Sequence, residues 1–101
     1  MEESIVVKPE DLLLAVIETV ESWCDWHDSC ANEHHLWQVE KIVFDTSNLT
    51  HYALVRIRKT LHVLENQGDL EDPCFTFIGG RRYLPKGESL QLVWEGVRKK
   101  S

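Results

Sequence analysis

Cys24, His27, Cys30, His34 and His35 crowd into twelve residues as Cys-x2-His-x2-Cys-x3-His-His. Thiolate and imidazole are the ligands tetrahedral zinc prefers, so Cys24, His27, Cys30 and His34 form a candidate metal set. Two features oppose it: Cys24 falls on the apolar stripe of an expected helix, and a zinc hairpin usually draws its ligands from two separated pairs. Buried cysteine and surface histidine are therefore expected, with no metal or other cofactor assigned. A second group is cationic. Arg56, Arg58, Lys59, Arg81 and Arg82, five of the eleven basic residues, gather in two short stretches, a density suited to neutralising phosphate. Catalytic signatures are missing: there is no Gly-rich phosphate loop, no Gly-x-Ser-x-Gly elbow and no His-Glu-x-x-His. Cys30 beside His34 or His35 could be drawn as nucleophile and base, but such proximity is common. No enzymatic activity is expected.

At 101 residues, 43% hydrophobic and 28% charged, the chain reads as one globular domain over 1–101. No apolar run reaches the roughly 18 residues that span a bilayer, and the acidic start Met1-Glu2-Glu3-Ser4 is unlike a signal peptide. A cytoplasmic location is expected, in which Cys24, Cys30 and Cys74 stay free thiols. The net charge of −6 opposes binding to a polyanion, yet it is unevenly divided. Residues 1–45 hold eleven acids and two bases, whereas 46–101 hold nine bases and six acids. With screening over about 8–10 Å, a local basic face can act while acids lie elsewhere.

Residues 1–8 read as an N-terminal arm. Pro9, Glu10 and Asp11 suit a first helical turn, and Leu13, Val16, Ile17, Val20 and Cys24 make one apolar face of a helix over 9–26. Leu36, Val39 and Val43 predict a second helix over 33–44. Asp45-Thr46-Ser47-Asn48 supplies a turn and a helix start. A third helix over 48–67 would bury Ala53, Ile57, Thr60, Leu61 and Leu64 and expose Asn48, His51, Val55, Arg58, Lys59 and His62. Cys74–Ile78 and Arg81–Leu84, separated by Gly79-Gly80, predict a hairpin over 74–84, and Leu90, Val93, Trp94 and Val97 a last helix over 88–99.

That order, with Leu64-Glu65 and Gly68 followed by Gly80-Arg81-Arg82-Tyr83-Leu84-Pro85-Lys86-Gly87, resembles winged helix-turn-helix regulators of the MarR and PadR kind. The resemblance implies an α+β, mainly α fold: a three-helix core, a two-stranded β-wing and a C-terminal helix. It also implies a transcriptional regulator that occupies operator sites on double-stranded DNA, acting as a homodimer. Asn48, His51, Tyr52 and Val55 would then lie nearest base edges, with Arg56, Arg58 and Lys59 on phosphates and Arg81 and Arg82 in the wing. Surplus apolar area among Trp23, Trp26, Trp37 and Trp94 would suit a dimer interface. The competing reading is a protein-interaction module whose acidic first half, with Glu18, Glu21, Asp25 and Asp28, binds a basic partner or mimics DNA.

Overall fold

In the computed structural model the described residues are 8–27, 37–87 and 89–96, without the side chains of 24–27. Pro9 opens α1 (Pro9–His27), where its missing N–H costs nothing, and Glu10 and Asp11 face the positive helix end. The Lys8 carbonyl accepts from Asp11 N–H at 2.9 Å, closing the first turn. Leu12, Val16 and Val20 recur every fourth residue and are fully buried, so one stripe of α1 is packed against a second layer. That layer is a five-stranded antiparallel sheet: β1 (Trp37–Asp45), β2 (Thr50–Ile57), β3 (Thr60–Asn66), β4 (Phe75–Gly79) and β5 (Leu90–Glu95), in the spatial order β4-β3-β2-β1-β5.

The main core lies between α1 and one sheet face, where Val39, Ile42, Ala53, Val55, Ile57, Leu64 and Phe75 meet the helix stripe. At roughly 1.5–3 kcal/mol per fully buried aliphatic or phenyl side chain, this contact dominates the favourable side of folding. The opposite face carries a smaller cluster of Val43, Tyr52 and Val63, covered by Ile78, Leu84 and Leu90. Leu84 belongs to residues 80–89, the strap that carries the chain from β4 across this face to β5 on the far edge. Asp45 pins the strap's end. Its carboxylate, 1% exposed, accepts from Ser47 N–H (3.0 Å), Asn48 Nδ2 (3.0 Å) and the Ser89 hydroxyl (2.9 Å).

The architecture is thus one helix on a β-sheet, not the mainly α winged helix. The helix expected over 9–26 is present as α1, but the other three expected helices give way to strands. Residues 37–44 of the second form β1, and 33–36 lie outside the described residues. A β-bulge at Glu40 shifts the strand's phase, so Val39 and Ile42 face the same core. Their spacing of three mimics a helix turn. The expected recognition helix over 48–67 is β2 and β3 around the tight turn Arg58-Lys59, with Arg58 at φ +61°. Ala53, Ile57 and Leu64 do share a core face, but Val55 shares it too, and a helix would have put Val55 on the other side.

The expected wing over 74–84 is also replaced. Its first arm is β4, which pairs with β3. The second arm coils into a 3-10 turn at Arg81–Tyr83, where Tyr83 N–H binds Gly80 O (2.9 Å) and Leu84 N–H binds Arg81 O (3.0 Å). These local bonds consume the donors a hairpin would need. Gly79, at φ +146°, lies under the Tyr83 ring, whose nearest carbon would be 2.2 Å from any added Cβ. The last expected helix, over 88–99, contains β5. A register shift opposite Ile42 and Val43 lets Val93 and Trp94 both pack on the main core, again imitating helical spacing. Residues 1–7, 88 and 97–101 lie outside the described residues.

Candidate functional site

Ala15, Glu18, Thr19, Ser22 and Trp23 recur at steps of three and four, so they form a second stripe on α1 beside the buried one. Across from them stand Pro73, Cys74, Phe75, Thr76 and Phe77 of β4 and its approach. Between the two rows runs a groove of about 510 Å³. Helix and strand run alongside in the same direction: the Thr19 hydroxyl lies 3.0 Å from the Phe75 carbonyl oxygen, and one helical turn later Trp23 meets Phe77 with ring centroids 5.3 Å apart. His62 of β3 completes an aromatic trio, 5.6 Å edge-on to Phe77 and 5.9 Å from Trp23. Burial there holds the His62 imidazole below its ordinary pKa, which favours the neutral ring.

The groove lies on a sheet edge. Cys74 O accepts from Gln67 N–H at 2.7 Å, so Cys74 turns its backbone groups toward β3. By strand alternation Phe75 and Phe77 turn theirs outward. Among the described residues no strand pairs with β4 on that side. The β3–β4 loop is held by Asn66, whose side-chain oxygen accepts from Gly68 N–H (3.0 Å) and Cys74 N–H (2.8 Å). The rim is acidic: Glu18 and Glu21 are exposed on α1, and Asp69, Glu71 and Asp72 are exposed on the loop that leads into Pro73.

The opposite side of the sheet is different in character. A polar cleft of about 390 Å³ is lined by Gln38, Glu40, Lys41, Leu54, Arg81, Leu84, Glu95 and Gly96. At its border Arg56 Nε donates to Glu40 at 2.5 Å, and the hydrogen bond and charge of that carboxylate raise the guanidinium pKa. Cation and anion alternate here, so the cleft has no single sign.

The expected DNA-contacting residues are dispersed. Asn48 is exposed in the β1–β2 turn and bound to Asp45. His51, 7% exposed, is stacked on Phe44 with centroids 4.6 Å apart, and its pKa is lowered by burial. Tyr52, on the opposite face, donates to Glu65 at 3.3 Å; burial, then the Glu65 charge and hydrogen bond, raise its phenol pKa. Val55 is 0% exposed and belongs to the core. Arg58 and Lys59 stand exposed at the β2–β3 turn, and Arg81 and Arg82 on the 3-10 turn. No helix gathers them, and the buried Val55 cannot reach a base edge.

The side chains of the candidate metal set Cys24, His27, Cys30 and His34 lie outside the described residues, as do those of Asp25 and Asp28; no metal-binding group of three occurs among those described. Nor, among the described residues, is any helix long and apolar enough to cross a membrane. Sequence reasoning missed the groove. Its one legible trace was the run of small and polar side chains at Ala15, Thr19 and Ser22 between the apolar and acidic faces of α1. No family model matches the chain, and neither a curated protein nor a solved structure matches it significantly.

Proposed function

We propose that the protein is a non-catalytic interaction module that uses the acidic α1 side to bind a basic segment of a partner protein. One observation carries the reading: an open groove with apolar walls, bordered by the carboxylates of Glu18, Glu21, Asp69, Glu71 and Asp72, at a sheet edge without a strand partner among the described residues. Apolar walls supply affinity, and a rim of one sign selects the charge of what enters and speeds encounter. The rival reading, operator binding, loses the helix it depended on, and its cations now stand at separate turns.

The test is fluorescence anisotropy with a labelled Lys/Arg-rich peptide and, separately, a labelled DNA duplex, each over a range of salt. Peptide binding that weakens with salt and is lost in Glu18→Lys/Glu71→Lys, but kept in Arg81→Glu/Arg82→Glu, supports the module. Duplex binding lost in Arg81→Glu/Arg82→Glu, with no peptide binding, replaces it with the nucleic-acid reading.

A further inference from the structure

Resting on that reading, we infer that the partner segment binds in extended form, adding to β4 as a sixth strand while alternate apolar side chains enter the groove beside α1. Main-chain pairing at an open edge supplies affinity that does not depend on sequence, and pockets at every second residue supply the selection. Three observations combine. The outward groups of Phe75 and Phe77 are those an added strand would pair with. The groove walls, Ala15, Trp23, Phe75 and Phe77, are apolar where the inward row of such a strand would fall. The acids at the rim fit a Lys or Arg in its outward row.

Thr19 makes the edge exchangeable. Its hydroxyl carries one proton and lies 3.0 Å from two acceptors, the carbonyl oxygens of Ala15, one turn back, and of Phe75. In the unbound protein it can cap Phe75 and so guard the edge, as native proteins do with exposed strands. When an N–H of the incoming strand takes over the Phe75 carbonyl, the hydroxyl keeps Ala15 as its acceptor. Neither group is orphaned. The helix is therefore a latch on the strand edge, and opening it costs little.

The probe is a synthetic basic peptide alternating Val or Ile with Lys or Thr. It is compared with a scrambled peptide of equal composition and with versions N-methylated at every second amide, in either phase. We expect the alternating peptide to bind at least about tenfold more tightly than the scramble. We also expect N-methylation to abolish that advantage in one phase only, because only one row of N–H groups faces β4. Thr19→Val, which leaves the Phe75 carbonyl uncapped, should tighten binding by about three- to tenfold, the worth of one hydrogen bond. Ser22→Trp, which fills the groove from an exposed position, should weaken it at least tenfold.

Equal binding of alternating and scrambled peptides would overturn strand addition while leaving the basic-partner reading intact. Loss of binding to every basic peptide would sink both. A dimer of the chain that the alternating peptide cannot compete apart, and that Ser22→Trp dissolves, would assign the groove to a second copy and overturn the inference.

Discussion

Replacing Gly79 with alanine tests how β4 is joined to the strap. Two costs arise and can be separated. The first is backbone: φ at Gly79 is +146°, a region L-residues avoid, at about 1–3 kcal/mol. The second is steric: the new Cβ would stand 2.2 and 2.4 Å from two carbons of the Tyr83 ring, so the ring must leave. Tyr83 is 50% exposed. A tyrosine side chain offers about 150–250 Å², so displacing the half that is covered forfeits roughly 100 Å², or up to about 2.5 kcal/mol. Gly79→Ala should therefore cost about 3–5 kcal/mol. In a Tyr83→Ala background the steric part is gone, and the same substitution should cost only about 1–3 kcal/mol. Urea denaturation of the four proteins of this cycle gives the coupling directly. A coupling near zero would refute the ring-on-glycine contact, and a total below about 0.5 kcal/mol, the range of a neutral surface change, would refute the backbone strain as well.

Three further outcomes rest on the same reasoning. Leu49 holds φ +56° with its side chain 74% exposed, so Leu49→Gly should gain up to about 1 kcal/mol by relieving left-handed strain. That gain would raise the melting temperature by about 4–8 °C, whereas Leu49→Ala, which keeps the Cβ, should not reproduce it. Burial holds both His51 and His62 below 6.5. As pH falls below 6.5 the unfolded chain takes up protons before the folded one, so stability is full above 6.5 and declines beneath it. His51→Gln/His62→Gln should flatten that part of a stability-against-pH curve, and an unchanged slope would show that other groups cause it. Burial pushes the Asp45 carboxyl up, but the Ser89, Ser47 and Asn48 hydrogen bonds outweigh it and leave the group below its ordinary 3.8. Its contribution is present above 3.8 and lost as pH falls below that, so Asp45→Asn should lower stability at neutral pH and shrink the acid-side loss in circular dichroism titrations.

The sequence was legible where a signal was local. Pro9, the two acids after it and the stripe through Val16 and Val20 made α1 readable, because one-faced burial leaves a clean period. The strands were not readable, for three separate reasons. β2 is the central strand and is covered on both faces, so Tyr52, Ala53, Leu54 and Val55 are all buried and the period of two disappears. In β1 and β5 the bulges put Val39 with Ile42, and Val93 with Trp94, on one face, spacings a helix would also produce. The third reason is chemical. Val, Ile, Thr and aromatic side chains crowd 37–66, and their preference for strands was outweighed by an apparent helical period. As for the groove, one wall was visible as a helix stripe, but the other depends on β4 pairing with β3 and lying at an edge. That is a fact of topology which no local spacing encodes.

The strap also bears on how copies of this chain could combine. β5 is held against β1, a strand far from it in sequence, and it arrives there only because residues 80–89 cross the sheet. If the strap lifts, β1 presents a bare edge that the β5 of a neighbouring molecule fits in the same register. Reciprocal domain swapping then makes a dimer without any contact type the monomer lacks. Closure within one chain benefits from an effective concentration in the millimolar range, which keeps exchange rare in dilute solution. Concentrated or incompletely folded protein loses that protection, so two preparations of this chain can differ in assembly while sharing every native contact.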